Sequence, residues 1–528
     1  MGSRVENALS RWRLGAERQL GDLAEIPRPV VGDVLGGISV ALVLIPQSLA
    51  YAGLAGLPPS VGLFASAFPL LIFAVFASSP YLQTGPVALT SLLVAGALAG
   101  AGLVPETEAY IAAATLLAVI VAVVRLLIGV LRLGSVVYLM AEPVTIGFTS
   151  AAGIVILSSQ LPRALGVTLP AEIAARGNPI ARGAWVITNP ESWNIGAIVI
   201  FFVTVILMHG GRRLHRLFPG VLVAVVFALV FSRLTDYQAP VLQDIEPGLP
   251  PLSFDLPWSS TGSLLIGGIV IALVGFAEPA SIARMFANED QTRWSSSREF
   301  FASGLANAVA SATSAYPVGG SFSRSFVNRF AGAQTRVSGA ITGLVVIAFL
   351  PFAGLLDGLP EATLGSIVVG AVASIVKPRR LYRIARRAPW QGSLAVITFV
   401  ATLVTPPNIQ FGVIIGVIAT VIFHFARPFR IDRVDVSDGT LNLRPRGLLW
   451  IATNGRFKRE LGEVIAKDSG SGPIVVDLDR STAIDAAIAD AIAGGKAVAD
   501  RNGRAFHVVN APEGAGPILE TFEVTVVG

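Results

Sequence analysis

"GGISVALVLIPQSLAYA" (residues 36–52) and "GGIVIALVGFAEPASIA" (residues 267–283) align without gaps, and seven of the seventeen positions are identical. The second stretch begins 231 residues after the first (267 − 36 = 231), and about seven apolar segments lie in that interval. Because seven is odd, the second copy would cross a membrane in the opposite direction. Inverted repeats with short, Gly/Pro-interrupted segments are typical of secondary transporters. The same register places Gln47 opposite Glu278.

The composition indicates a polytopic membrane protein and excludes several other classes. Of the 528 residues, 53% are hydrophobic and 14% are charged, whereas a soluble domain is about 25% charged. The sequence has no cysteine, which excludes disulfides, iron–sulfur clusters and thiol catalysis. The net charge of +5 does not indicate nucleic-acid binding, because the basic residues fall in short loops between apolar segments. Residues 1–28 hold five arginines and no apolar run, so we expect a cytoplasmic N-terminal segment without a cleavable signal peptide.

About fourteen apolar segments can be read along the chain, given that a full crossing needs roughly 20 residues. They centre near 30–50, 59–77, 84–100, 108–130, 136–159, 194–209, 217–232, 261–280, 298–314, 320–331, 336–356, 362–377, 391–405 and 409–426. The third and the tenth are short. Basic residues follow the even-numbered segments, with Arg125 and Arg132 read as flanking one such loop and residues 377–387 forming another. The positive-inside rule then predicts a multi-pass protein of the cell (inner) membrane with both termini in the cytoplasm.

Each short segment follows a Gly/Pro-containing break, in "QTGPVALTSLL" (83–93) and in "YPVGGSFSRSF" (316–326). If the two helix N-termini meet near the midplane, their unpaired N–H groups and dipoles would hold an anion. Arg324 lies one turn into the second helix, where a charge near the bilayer centre costs at least about 2.5–3.5 kcal/mol. An anion that binds Arg324 would explain why the protein tolerates this cost. The alternatives are a structural ion pair with Glu278 and an arginine that snorkels to the cytoplasmic surface.

Longer stretches around these breaks resemble the SulP anion permeases, the family of prestin and pendrin. They are residues 45–93, beginning "IPQSLAYAGLAG", residues 142–154, "EPVTIGFTSAAGI", and residues 319–344, beginning "GGSFSRSFVNRF". The resemblance implies a transport domain (29–427) of fourteen transmembrane segments in two inverted repeats of seven, about 29–233 and 259–427. Segments one to four and eight to eleven would form a core domain and the others a gate domain. It also implies a homodimer, an elevator-like shift of core against gate, and a cytoplasmic STAS domain at 428–528.

The family motifs, carried over position by position, imply an anion site between the third and tenth segments. Gln47 and Tyr51 would line it from the first segment, Val87 from the third, and Ser323 and Arg324 from the tenth. The remaining candidates for the site are the neighbours of these residues in the two breaks, namely Thr84, Gly85, Pro86, Gly320, Ser321 and Phe322. Two positions depart from the family pattern: Ser48 stands where glycine is common, and Tyr51 stands where phenylalanine is expected.

Glu278 is a carboxylate in an apolar segment, which makes it a functional candidate by default. It could carry a coupling proton or help to coordinate Na⁺, or it could be a fixed counter-ion of Arg324. The four histidines form neither a metal-ligand cluster nor a catalytic pair. We therefore expect no metal, no cofactor other than a coupling ion, and no enzyme activity.

The sequence changes character after Arg427, where it reads as a small soluble α/β domain. "RFKRELGEVIAK" and "DAAIADAIAGGKAVADRNG" predict helices, and "PIVVDLD" and "AFHVVN" predict strands. The bacterial regulatory STAS pattern has a phosphorylatable serine after an aspartate at the start of a helix. Here Asp485 is followed by Ala486 and Ala487, so the hydroxyl that such a switch needs is missing, and we expect a structural or interaction module.

The leading hypothesis is a secondary active transporter of small anions, with H⁺ as the expected coupling ion. The family resemblance allows sulfate, bicarbonate, chloride and C4-dicarboxylates such as fumarate or succinate, and one arginine with two helix dipoles would suit each of them. The alternatives are an uncoupled anion channel or exchanger, a Na⁺-coupled bicarbonate symporter, and a membrane scaffold that signals through its tail. A nucleobase:cation symporter would share the fold, but its site would use carboxylates rather than an arginine.

Overall fold

The structure of the protein is a computed structural model. It describes residues 27–526 apart from 135–141, 175–176, 216, 244, 246, 253–254, 374, 388, 427–429, 436–439, 447–453, 469, 480–485, 513–514, 523 and 525. The chain divides into two compact units, Met1–Ile418 and Ala419–Gly528.

The first unit is helical, with two short extended segments. The first repeat contains α1 (Val31–Leu54), α2 (Pro59–Ser66), α3 (Phe68–Phe76), β1 (Thr84–Gly85), α4 (Ala88–Gly100), α5 (Glu108–Val130), α6 (Glu142–Ala164), α7 (Ala171–Ala174), α8 (Pro179–Thr188), α9 (Ile195–Leu214) and α10 (Gly220–Leu234). The second repeat contains α11 (Thr261–Glu289), α12 (Ser296–Ala312), β2 (Gly319–Gly320), α13 (Phe322–Phe330), α14 (Val337–Phe349), α15 (Glu361–Val372), α16 (Pro378–Arg387), α17 (Pro389–Val404) and α18 (Gln410–Ala426).

Each of the fourteen predicted apolar segments contains one of these helices, except that the second is broken at Ala67 into α2 and α3. By length and composition, six helical segments of the described chain could cross a membrane. Another six apolar helices are shorter, at 10–17 residues. The helices α7, α8 and α16 were not predicted as separate elements. The last of these is the basic run after the twelfth segment, in which Arg379, Arg380, Arg383 and Arg386 are exposed.

Helix packing has the pseudo-twofold symmetry of an inverted repeat. In the core domain, α14 packs on α1 as α5 packs on α11, and α14 packs on α3 as α5 packs on α12. In the gate domain, α17 packs on α6 as α9 packs on α15. The predicted fold of two inverted repeats divided into core and gate is therefore confirmed.

The two short helices begin at a small antiparallel sheet in the middle of the core. Thr84 pairs with Gly320 and Gly85 with Gly319, and the Ser321 N–H donates to the Gln83 carbonyl at 2.9 Å. The Ser325 hydroxyl accepts a hydrogen bond from the Gln83 N–H at 3.0 Å, which ties α13 to the opposite break. The N-termini of α4 and α13 therefore converge, as the sequence predicted.

The symmetry is broken where the core meets the gate. From the first repeat, α1 packs against α10 and α15, and α4 packs against α6. The second-repeat counterparts α11 and α13 make at most sparse contacts with gate helices in the described part of the chain. On α4 the first seven residues are all buried, whereas Phe322 and Phe330 on α13 are about half exposed. The crevice between core and gate is therefore closed on the side toward which α4 runs and open on the side of α13.

One charged residue lies elsewhere than the sequence suggested. Arg125 was read as flanking a basic loop, but it lies within α5 and is fully buried. Arg132 does lie beyond the helix end, in the turn that follows α5. The reading of Arg125 was therefore wrong, because a basic residue five positions before a helix end can face the protein interior as readily as the loop.

The second unit forms a four-stranded mixed sheet covered by helices. Its elements are β3 (Arg430–Asp435), β4 (Leu441–Arg446), α19 (Asn454–Lys467), β5 (Ile474–Asp477), α20 (Ala486–Arg501), β6 (Phe506–Val509) and α21 (Gly516–Thr521). The strand order is β3-β4-β5-β6, with β3 antiparallel to β4 and the other pairs parallel. Both predicted helices and both predicted strands are present. Asp485, at the position where the sequence departs from the regulatory STAS pattern, lies outside the described residues.

The end of β5 is held by a buried carboxylate. Asp477 accepts hydrogen bonds from Arg444 Nε at 2.7 Å, from Asn510 Nδ2 at 2.9 Å and from the Asp479 N–H at 3.1 Å. Burial alone would raise the pKa of the Asp477 carboxyl, but these donors and the charge of Arg444 together hold the pKa below its usual value. The carboxylate thus stabilises the carboxyl end of the central strand.

Candidate anion site

Arg324 is placed by the first turn of α13, directly beside the crossing of the two breaks. A Cβ added to Gly85 would lie 3.5 Å from Arg324 Nη2 and within 3.7 Å of the Leu44 and Leu70 side chains. Gly85 has φ +132°, a conformation that L side chains rarely adopt, so the backbone of the turn requires glycine here. The guanidinium of one break therefore lies close to the backbone of the other.

The Arg324 guanidinium is fully buried, and none of its three nitrogens has a hydrogen-bond partner among the described residues. No ion pair joins it to Glu278 within 4.0 Å, and its zero exposure excludes a side chain that snorkels to the surface. A buried cation with unsatisfied donors is costly unless an anion or a similar acceptor completes its environment. Of the three readings of Arg324, this geometry favours the anion partner.

Two tyrosines and a carboxylate surround the arginine. The Tyr51 hydroxyl, the Tyr316 hydroxyl and Glu278 all lie within electrostatic range of the guanidinium. Tyr316 is fixed by a 3.1 Å hydrogen bond between its hydroxyl and that of Ser91 on α4. Tyr51 extends from α1 and is almost fully buried. The groups near the guanidinium are therefore two tyrosine hydroxyls, which can orient an anion, and one carboxylate, which offsets part of the positive charge.

The N-cap residues of the two short helices at the site do not cap their helices with their own side chains. Val87 is the N-cap of α4 and Ser321 is the N-cap of α13, and neither side chain accepts a first-turn N–H. The Ser321 hydroxyl instead lies 3.4 Å from that of Ser323. Uncapped first-turn N–H groups carry the positive end of the helix dipole and are the usual backbone ligands of anions.

Glu278 and Gln47 occupy matching positions in the two halves of the repeat, on α11 and α1. The Phe322 N–H interacts with the Glu278 carboxylate, which is only partly buried. Gln47 is 3% exposed, and its Oε1 has no hydrogen-bond partner among the described residues. The pseudo-equivalent positions of the repeat thus hold one partly buried carboxylate and one buried amide.

The other predicted site residues contribute backbone or packing. Thr84 and Gly320 are paired in the small sheet, and Pro86 is buried beside them. Phe322 is 48% exposed and packs on Phe326 with ring centroids 4.5 Å apart, so it serves the site through its N–H rather than its ring. Val87 is nearly buried at the start of α4.

The sequence reading missed two polar residues of this site. Tyr316 lies at the start of the quoted break and Ser91 in the other short helix, 225 positions away. A tyrosine in an otherwise apolar segment was the available signal, but its partner could not be inferred from the sequence.

A separate cavity of about 620 Å³ lies on the closed side of the crevice. It is lined from the core by Gly53 and Tyr110, and from the gate by Arg163 and Glu361, which form a 3.4 Å ion pair. Neither Arg324 nor Gln47 lines this cavity. It is therefore a vestibule beyond the end of α1 rather than the anion site.

No group of three or more potential metal-ligating side chains occurs in the described parts of the chain.

Comparisons with known proteins agree with this arrangement. The model of the sulfate permease family matches residues 30–398. The chain is 34% identical over 414 residues to sulfate transporter 4.1, chloroplastic, of Arabidopsis thaliana, covering 75% of this chain and 59% of that protein. The chain thus spans about three fifths of the length of that relative.

Two solved structures have the same fold. The murine Slc26a9 anion transporter in the inward-facing state has a TM-score of 0.75 at 21% identity, covering 94% of this chain and 88% of that chain. The transmembrane domain of a cyanobacterial bicarbonate transporter, BicA, has a TM-score of 0.62 at 22% identity, covering 75% of this chain and 100% of that chain. All three similar proteins are named as transporters and none as an enzyme, which agrees with the expectation from the sequence.

Proposed function

Because the chain belongs to the sulfate permease family, we propose that it is a secondary transporter of small anions in the cell membrane. The observation that carries the proposal is Arg324, a buried cation whose three nitrogens have no partner among the described residues, beside two uncapped helix N-termini. Hydrogen bonds to a charged group are worth about 1.5–3 kcal/mol each. The guanidinium fork and the first-turn N–H groups would replace the water that the anion loses.

Sulfate is the first candidate substrate, because the Arabidopsis relative is named as a sulfate transporter. Bicarbonate is the second, because the cyanobacterial structure of the same fold is named as a bicarbonate transporter. C4-dicarboxylates such as fumarate or succinate remain a third. Tyr51 and Ser48, where phenylalanine and glycine were expected, add a hydroxyl each to α1, and we propose that the Tyr51 hydroxyl contributes to the choice among these anions.

Transport proceeds by an elevator-like movement of the core past the gate. The core carries Arg324 together with both short helices, so the site moves as one body. The positive-inside reading places the termini in the cytoplasm, and the open side of the crevice then faces inward. The likeness to a structure described as inward-facing supports this orientation.

We propose H⁺ as the coupling ion, with Glu278 as the carrier. The carboxylate interacts with the Phe322 N–H, one of the α13 N-terminal donors, and lies within electrostatic range of Arg324. Protonation would remove a negative charge from the neighbourhood of an incoming anion and so favour its binding. Na⁺ coupling and uncoupled conduction are the alternatives, and they differ in which gradient drives uptake.

The assembly and the C-terminal unit complete the proposal. We propose a homodimer, with the unit from about residue 428 onward as a STAS domain in the cytoplasm. Its mixed sheet with two parallel strand pairs and flanking helices is compatible with such a module. The absence of a hydroxyl at Ala486 and Ala487 supports an interaction role rather than a phosphorylation switch.

The function is tested by uptake into proteoliposomes. Sulfate, bicarbonate, chloride and succinate are offered at two external pH values, with and without an inward Na⁺ gradient. We expect uptake of at least one anion that accelerates at the lower external pH. Uptake driven only by the gradient of the anion itself would favour a channel, and uptake of none would contradict the proposal.

A further inference from the structure

Arg125 is a second fully buried arginine in the core, and it lies outside the anion site described above. Its Nη1 donates to the Val318 carbonyl at 2.9 Å and to the Ser303 hydroxyl at 2.8 Å. Its Nε and Nη2 donate to the carbonyls of Ala272 and Ile271, at 3.1 and 3.3 Å. No carboxylate forms an ion pair with it among the described residues, so neutral oxygens satisfy this cation. Burying a cation in such surroundings is costly, which calls for a reason.

The carbonyl that Arg125 binds belongs to the residue immediately before β2. Asn307 on α12 holds the same residue from both sides: its Oδ1 accepts from the Val318 N–H at 2.9 Å, and its Nδ2 donates to the Val318 carbonyl at 3.2 Å. Val318 is thus fixed by side chains from α5 and α12. Its position sets where Gly319 and Gly320 meet the opposite break.

We propose that Arg125 is a positioning residue for the anion site, acting through Val318 on the crossing of the two breaks. Arg324 is only six residues beyond Val318, so a change in the register or rigidity of β2 moves the guanidinium directly. Arg125 also donates hydrogen bonds to the carbonyls of Ile271 and Ala272 on α11, one to two turns before Glu278. It therefore ties α5, α11, α12 and β2 into one body that carries the site.

The expected effect of Arg125 on sulfate affinity rests on the proposed anion transport. Its structural part, that Arg125 holds the crossing in place, can be tested without any ligand. Hydrogen exchange at residues 318–323 reports the rigidity of the crossing, and equilibrium binding of radiolabelled sulfate reports the site. Loss of protection in the variants, together with no sulfate binding by the wild type, would refute sulfate as the substrate and leave the positioning role supported.

The variants are Arg125→Met, Arg125→Lys and Asn307→Leu, each in the full-length protein. We expect Arg125→Met to raise the sulfate Kd about tenfold or more and to speed exchange at 318–323. Arg125→Lys should recover part of both, because an ammonium reaches fewer of the four acceptors than a guanidinium does. If Arg125→Met does not fold, the lysine variant carries the test, with an expected rise in Kd of about threefold.

A double variant and a matched control separate positioning from plain stability. Because Arg125 and Asn307 act through the same residue, Arg125→Lys combined with Asn307→Leu should raise Kd by less than the product of the two single effects. Arg298→Met removes another arginine that binds a backbone carbonyl, that of Phe76 at 3.0 Å, away from the crossing. It should lower the melting temperature while leaving Kd within twofold. Arg125 variants that behave like this control, with unchanged Kd and unchanged exchange at 318–323, would overturn the inference.

Discussion

Gly96→Val should open the closed side of the crevice. Gly96 lies on α4 in the core, and a Cβ built on it would be 2.7 Å from the Pro407 carbonyl oxygen and 3.0 Å from Gln410 Oε1, both in the gate. Real Cβ atoms essentially never approach another atom as closely as 2.7 Å. A valine side chain can be accommodated only if α4 and the turn before α18 separate. The substitution therefore destabilises the present arrangement. It does not destabilise an arrangement in which core and gate have moved apart.

The size of the effect follows from the cost of overpacking. Forcing extra methyl groups into a packed contact costs about 1–3 kcal/mol, and a free-energy difference of that size changes a population ratio by about 5- to 150-fold. The rate at which a buried reporter becomes accessible from the closed side should rise by the same factor.

The absence of natural cysteines makes the assay direct. Leu92→Cys introduces a single thiol at a buried position on α4 that lines the vestibule. Its modification by a membrane-impermeant maleimide is timed with and without Gly96→Val. Gly262→Val is the control, because a Cβ there meets nothing within 4 Å. Equal labelling rates with and without Gly96→Val in folded protein would refute the reasoning, as would an equal rise caused by the control.

Three further outcomes are expected. Glu278→Gln should keep anion binding and exchange but lose acceleration by an inward proton gradient; full pH dependence together with a large fall in melting temperature would instead identify a fixed counter-ion. Asp477→Asn should weaken the C-terminal unit by about 2 kcal/mol at neutral pH. The lowered pKa of Asp477 means that its contribution is present above the usual aspartate pKa and is lost as pH falls through the folded value. Hydrogen exchange at β5 in the full chain should therefore distinguish variant from wild type at pH 7 and converge in strong acid. Truncation near Arg430 should leave a monodisperse membrane unit that binds the anion, and aggregation of the truncated protein would contradict a modular tail.

The overall architecture was predictable because it repeats. Seven identities in seventeen aligned positions, separated by an odd number of segments, were enough to indicate two inverted halves, and the Gly/Pro breaks marked the two short helices. Arg324 followed from the same reasoning, since an arginine in an apolar segment needs a polar surrounding. These features are local in sequence, so they can be predicted from periodicity and composition.

What the sequence did not disclose depends on contacts between distant elements. Arg125 looked like a loop residue because basic residues near segment ends usually mark topology. Only the folded chain brings it to Val318, 193 positions away. Likewise, Ser91 and Tyr316 meet only because both breaks cross at one point. The break at Ala67 between α2 and α3 has no glycine at that position, although Pro69 in the first turn of α3 was an available signal.

The vestibule and the asymmetric crevice were also beyond the sequence. Both repeats have the same pattern of apolar segments. The pattern therefore does not indicate which repeat's core helices pack against the gate. The difference arises from the position of the core as a body, to which Gly96 and its gate neighbours contribute by close packing. A property of the conformational state is set by many weak contacts together rather than by any one motif.

The central claim is that the buried Arg324 guanidinium binds the transported anion, and equilibrium binding to purified protein tests it most directly. Radiolabelled sulfate and bicarbonate are titrated against wild type, Arg324→Lys and Arg324→Ala, with melting temperatures measured on the same samples. Loss of one to two charge-assisted hydrogen bonds, at about 1.5–3 kcal/mol each, predicts that Arg324→Ala weakens binding by at least tenfold. Arg324→Lys should recover only part of the affinity, because a point charge lacks the planar fork. Anion affinity in folded Arg324→Ala equal to that of the wild type would contradict the account.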